Sequence, residues 1–253
     1  MAFKRLDPED FVVSSDSVTS TVWSNNAPSL NSFFSSSIQK EGASGPFYIS
    51  IYNTASSDPQ SEVQFQIAYG NKNGGGGVDY DGAVPNVSAT STIYGQYRAL
   101  VLEDENAQFI WGTDFTGSND NDFYAISIER ARYKQTLLPG SINIVLSSSI
   151  PELAALHLTD NSNMVPTPDF YGTTLNSGSY GWVLPDISTI LLNPYALASS
   201  DGNLPEGINM VTDRRNNINA QNPETLFEVF STSSASPAIT NVFEVNSQET
   251  LTS

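Results

Sequence analysis

The chain has 253 residues, 27 acidic against 10 basic, for a formal net charge of -17, with one histidine and no cysteine. So acidic a chain is poorly suited to gripping DNA or RNA, which needs clustered Lys and Arg to displace counterions. The absence of cysteine excludes disulfides, thiolate nucleophiles and cysteine zinc sites, and a lone His157 excludes a multi-histidine metal centre. Only carboxylate chemistry stays open to an enzyme of this composition, and no cofactor is implied.

Residues 3–24 carry the first strand pattern: Phe11-Val12-Val13, then Val18, Ser20 and Val22 alternating with Thr19, Thr21 and Trp23. This segment is either the first strand of the domain or an extended arm that adds to a neighbour's sheet, with Phe11, Val22 and Trp23 as contact residues. Leu30, Phe33, Phe34 and Ile38 lie at helical spacing and predict a short amphipathic helix. Residues 47–52 and 63–69 alternate as strands, the second with Val63, Phe65, Ile67 and Tyr69 on one face, and are expected to lie side by side. The glycine cluster at 74–77 lacks the Lys-Ser or Lys-Thr ending of a phosphate loop and is expected to be a surface loop running through Gly82. Asp79 and Asp81 do not continue into a calcium ligand ladder.

Ile93, Tyr94, Tyr97, Leu100 and Val101 predict a helix over 90–102, with Ser91 or Thr92 able to cap it. Glu103-Asp104-Glu105 then turns the chain into Phe109-Ile110-Trp111. Asp114, Asp120 and Asp122 lie in a polar loop that is either solvated or able to hold a cation.

From Asp122 the period of two returns in Tyr124, Ile126 and Ile128, and it returns again in Ile142, Ile144 and Leu146. Pro139-Gly140 between the two runs supplies a fixed φ followed by a residue that tolerates positive φ, so a paired-strand unit is expected. Arg130, Arg132 and Lys134 at alternate positions would share one face at the end of the first strand. That face either meets an acidic partner or forms an internal ion-pair set. Leu156 and Leu158 flank His157 on the opposite face, and Pro166-Thr167-Pro168 marks a corner. Residues 180–194 predict two short buried strands with a corner at Pro185-Asp186. Residues 222–230 predict a helical turn or two, and 241–250 return to strand alternation.

The expected fold is therefore mainly β, with antiparallel, sandwich-like sheets, a few short helices and long loops. An N-terminal arm (1–24) precedes a β-rich main domain (25–200). The remaining segment (201–253) is either an interface or the start of a further domain. No secretory signal is visible at the N-terminus, and no stretch approaches transmembrane length.

Several stretches resemble, in order, a family of virion proteins from T4-like marine myoviruses, chiefly cyanophages. They are Phe3-Lys4-Arg5-Leu6-Asp7-Pro8-Glu9-Asp10 with Phe11 to Ser14, Glu62-Val63-Gln64-Phe65-Gln66-Ile67-Ala68-Tyr69-Gly70, and Tyr94-Gly95-Gln96-Tyr97-Arg98. Ile126-Ser127-Ile128-Glu129-Arg130-Ala131-Arg132, Ser179 to Asp186 and Leu191-Leu192-Asn193-Pro194 complete the set. The resemblance implies a non-enzymatic particle component, of the tail baseplate or its surroundings, whose partners are other virion proteins, with no direct nucleic acid contact and no membrane insertion. Many members extend beyond the point matching Ser253, so this chain is expected to be a short member or part of one.

Within that class the expected contact residues are Arg130, Arg132, Lys134, Phe11, Val22 and Trp23, with Trp111 as a further aromatic anchor. A receptor- or carbohydrate-binding tail module is the alternative, stacking Tyr80, Trp111 or Trp182 on sugar faces, although Trp182 sits in an apolar strand and is expected to be core. A glycoside hydrolase built on Asp114, Asp120 and Asp122 is the third reading.

Overall fold

The computed structural model describes residues 17–27, 29–30, 34–35, 48–55, 57–74, 89–102, 104–111, 122–133, 135–147, 156–161, 169–172, 178–194, 242–246 and 248–252. Phe11 and Lys134, with the segments holding Tyr80, Asp114, Asp120, the 166–168 corner and the 222–230 turns, lie outside them.

The strands are β1 (Ser17–Thr21), β2 (Ser29–Leu30), β3 (Phe34–Ser35), β4 (Tyr48–Tyr52), β5 (Val63–Asn71), β6 (Asp122–Ile128) and β7 (Thr136–Leu137). They continue with β8 (Asn143–Ser147), β9 (Leu156–Asp160), β10 (Asp169–Gly172), β11 (Gly178–Leu184), β12 (Thr189–Leu192), β13 (Val242–Asn246) and β14 (Gln248–Thr252). Among the described residues one α-helix, α1 (Ala89–Val101), falls between β5 and β6. Eleven strands form one sheet in the order β2-β13-β8-β9-β10-β11-β12-β6-β5-β4-β3, and β1-β14-β7 form a second. Every pairing is antiparallel, so the mainly β, antiparallel expectation holds.

The large sheet cannot be flat. Its two outermost strands, β2 and β3, are consecutive in the chain, with only residues 31–33 between them. Four residue steps reach at most about 14 Å, whereas eleven strands laid flat would separate their edges by about 48 Å. The sheet therefore rolls until its edges nearly meet, and its two halves face one another across a common interior as the layers of a sandwich do.

That interior holds Ile51 of β4, Phe65, Ile67 and Tyr69 of β5, Tyr124, Ile126 and Ile128 of β6, and Ile144 and Leu158 from the far side of the roll. A second, smaller core lies on the outer face under α1, where Ile93 and Tyr94 pack with Phe109, Trp111, Phe123, Ala125 and Leu191. β6 thus buries both faces, its even positions inward and Phe123 and Ala125 beneath the helix, which explains why it carries apolar residues on both.

Several expectations hold in detail. β4 and β5 are paired, α1 covers the predicted helix, and β11 and β12 are joined through a 3-10 turn at Pro185–Ile187. Gly140 takes φ 84° in a turn closed by the Ser141 amide donating to the Leu138 carbonyl at 3.1 Å.

Others are corrected. Leu30 and Phe34 belong to short edge strands, because their chain segment closes the roll and its backbone is taken by β13 and β4. β6 does not pair with β8: β5 and β12 occupy its two edges, and β8 lies between β9 and β13. Leu100 is 57% exposed rather than core. α1 begins at Ala89, which puts Ser91 and Thr92 inside its first turn instead of at its cap. β1 pairs with β14 along Ser17–Thr21 on one side and stands at the edge of its three-stranded sheet, so it is the first strand of this fold. The C-terminal strands likewise complete both sheets of this fold, β13 against β2 and β8, and β14 against β1 and β7.

Candidate functional site

Four of the residues expected at a partner interface, Val22, Trp23, Arg130 and Arg132, lie among the described residues. Val22 and Trp23, 2% and 3% exposed, turn inward at the end of β1, and Trp23 meets Phe65 edge-on with ring centroids 6.3 Å apart. They are core residues because the chain reverses right after them through Asn25 and Asn26, both at positive φ.

Arg130 and Arg132 do not share a strand face. β6 stops at Ile128, whose amide donates to the Ser188 carbonyl at 3.0 Å, while the Glu129 amide donates to the Gln64 carbonyl at 3.0 Å. The chain then forms a 3-10 turn over Arg130–Arg132. Arg130 donates to the Tyr133 carbonyl at 2.6 Å and lies 4.7 Å from the centroid of the Tyr133 ring. Arg132 points back to the start of β5, donating at 2.8 Å to both the Glu62 carboxylate and the Ser24 hydroxyl.

Ser24 in turn donates to Glu62 at 2.6 Å and accepts from the Gln64 amide nitrogen at 2.6 Å. The internal ion-pair alternative for Arg132 is the one realised. The Ser24 hydroxyl, then the Arg132 guanidinium, hold the Glu62 carboxyl below its ordinary value of 4.5. That contribution is present above the unfolded pKa and lost on acidification through the lowered one. Because the Glu62 side chain is 48% exposed, the pair is worth about 1 kcal/mol or less.

Asp122, expected in a cation-holding loop, opens β6 instead, and its buried carboxylate accepts from the Tyr69 hydroxyl at 2.7 Å. Asn71 donates to the same hydroxyl at 3.3 Å. Burial, and then the Asp122 charge, push the Tyr69 phenol well above its ordinary value of 10.0. Burial also pushes Tyr180 up, to about 12.

A phenol held protonated by the fold contributes stability below its unfolded pKa and loses it as pH rises beyond that value. The urea midpoint is therefore expected to fall as pH rises above about 10, the ordinary phenol value, and to fall less steeply in Tyr69→Phe. The substitution itself costs about 1–3 kcal/mol at neutral pH by removing the donor to a buried carboxylate. Equal alkaline slopes for both proteins would show that Tyr69 does not carry the effect.

Two of the three aromatics considered for sugar stacking, Trp111 and Trp182, are also packed against other rings. Trp111 is 1% exposed and stacked on Phe109 at 5.6 Å and 13°, and Trp182 meets Phe109 and Trp111 edge-on at 5.6 and 5.9 Å.

What the fold does leave open lies along α1. At its C-terminal end a groove of about 430 Å³ runs between Leu100 and Val101 on the helix and Leu184, Pro185 and Ile187 on the corner that joins β11 to β12. Leu100 overhangs it at 57% exposure, and the chain beyond α1 places Ile110 outward at 67% between the buried Phe109 and Trp111. Asp186 lines the groove, Asp104 and Glu105 stand exposed just after the helix, and the helix end adds its own partial negative charge. An apolar slot with an aspartate in its wall suits an apolar side chain beside a Lys or Arg on a partner protein.

Sequence reasoning missed this site, since Leu100 fits the core face of a helical pattern and the corner that faces it comes from far along the chain. No protein-family model, curated protein or solved structure matches the chain.

Proposed function

We propose that this chain is a non-enzymatic structural component of a tailed-phage virion, at or beside the tail baseplate, acting by protein–protein assembly. The observation that carries this reading is the apolar groove between α1 and the β11–β12 corner, with Asp186 in its wall and Leu100 left in water at its edge. The ordered likeness of the sequence to virion proteins of T4-like marine myoviruses supports the same reading. The chemistry of three described carboxylates is consistent with it: Glu62 is tied to Arg132 and Ser24, Asp122 to Tyr69, and Asp160 to the Gly140 amide at 2.6 Å. These groups are spent on holding strands and turns together.

Leu100→Asp tests the groove. The side chain is mostly exposed, so the fold should change by about 0.5 kcal/mol or less, while a buried contact with a partner would lose roughly tenfold or more in affinity. In a phage depleted of the wild-type protein, purified particles carrying the variant are expected to contain much less of it by quantitative peptide counting. Incorporation equal to wild type would remove the groove from the assembly surface.

A further inference from the structure

α1 carries a glycine that nothing among the described residues requires. Gly95 lies in the helix interior and is not at positive φ, and a Cβ built on it meets no atom within 4 Å. Glycine is among the poorest residues for such a position, so the chain forgoes helix stability there without a packing reason. What the missing side chain leaves is room.

Gly95 borders a pocket of about 390 Å³ between the N-terminal half of α1 and the turn that ends β5, with Tyr94 beneath it. Among the described residues the remaining walls are Lys72 and Asn73 from the turn and Ser91, Thr92 and Arg98 from the helix. In a chain with 27 acidic and 10 basic residues, this pocket gathers two of the basic ones and, among the described residues, no carboxylate. Arg98 is held with its guanidinium carbon 5.8 Å from the centroid of the Tyr94 ring. Its Nε is buried and makes no hydrogen bond among the described residues.

We propose that this pocket binds a small hydroxylated ligand carrying one carboxylate or sulfate, the chemistry of an acidic sugar unit. The planar Arg98 fork takes the oxyanion and Lys72 adds a point charge. The Asn73 amide and the Ser91 and Thr92 hydroxyls match ligand hydroxyl groups. The first turn of the helix contributes its positive end. The volume falls within the range of about 300–1,000 Å³ typical of small-molecule sites and exceeds what a bare inorganic anion fills.

Calorimetric titration of the whole chain with glucuronate, a sulfated hexose, glucose and inorganic sulfate tests the assignment at low ionic strength. Glucuronate or the sulfated hexose is expected to bind saturably with a Kd of about 1 mM or tighter, and glucose not at all. Arg98→Gln should weaken that binding roughly tenfold or more. Gly95→Leu should abolish it without lowering the melting temperature, and Gly95→Ala should raise the melting temperature.

The melting temperature of each variant separates a filled pocket from a damaged fold. Absence of saturable binding by both acidic sugars overturns the proposal, as does full affinity in Arg98→Gln. Equal affinity for inorganic sulfate would overturn the sugar assignment and reduce the site to an oxyanion cradle. None of these outcomes depends on where the protein resides.

Discussion

Replacing Gly181 by alanine is expected to destabilise the fold by about 3 kcal/mol or more, although it adds a single methyl group. A Cβ at Gly181 would lie 1.9 Å from the Leu191 carbonyl oxygen, 2.9 Å from its carbon and 3.0 Å from the Leu192 Cα. All three are backbone atoms, so no side chain can swing aside. The backbone they belong to is pinned on both sides: β12 is hydrogen-bonded to β11 through the Gly181–Leu192 pair and to β6 through the Leu191–Ala125 and Leu192–Tyr124 pairs. β11 is itself held by β10, whose register shifts between Phe170 and Tyr171 opposite this point. Relief requires breaking ladder bonds in the middle of the large sheet. For a chain of this size the loss corresponds to a fall in melting temperature of about 6–12 °C. A shift of less than about 0.5 kcal/mol, the size of an ordinary surface substitution, would show that β11 and β12 do not approach this closely.

Phe123→Ala should cost about 3–5 kcal/mol, the range for removing a buried aromatic ring. Its ring sits at the centre of the outer core, stacked on Tyr94 at 5.5 Å and edge-on to Tyr97 at 5.5 Å, Phe109 at 5.1 Å and Trp111 at 6.5 Å. The ring also covers Gly70, its cross-strand partner on β5, where a Cβ would come within 2.6 Å of the ring. Gly70→Ala alone is therefore expected to cost about 1–3 kcal/mol by overpacking. In the Phe123→Ala background the obstruction is gone and most of that cost should vanish, giving a coupling of about 0.5–3 kcal/mol in a double-mutant cycle read by urea denaturation. Additive costs would mean that the glycine answers to something other than the ring.

These two glycines mark the boundary of what the sequence makes legible. The period of two in β5 and β6 and the helical offsets of α1 are written locally, and so is the proline corner between β11 and β12. Each can be read without knowing the fold. The closing of the roll is not, because it depends on β13, over 200 residues after β2, taking the edge that Leu30 offers.

Leu30 and Phe34 consequently mimic a helix face while serving as edge strands. Arg130, Arg132 and Lys134 continue the alternation of β6 past its end, but hydrogen bonds from Ile128 to Ser188 and from Glu129 to Gln64 turn the chain away. The Arg132 partners Ser24 and Glu62 lie 108 and 70 residues away, beyond any local pattern. For the polar pocket a signal was present: a glycine in the middle of an otherwise sound helix, one turn from an arginine. For the groove it was weaker, a leucine and an isoleucine that the fold leaves in water.

The most direct test of the assembly reading is immunogold electron microscopy on purified phage particles, with antibody raised against the whole chain. Gold is expected at the distal end of the tail. Particles that carry no label, whether intact or opened with detergent, would contradict it.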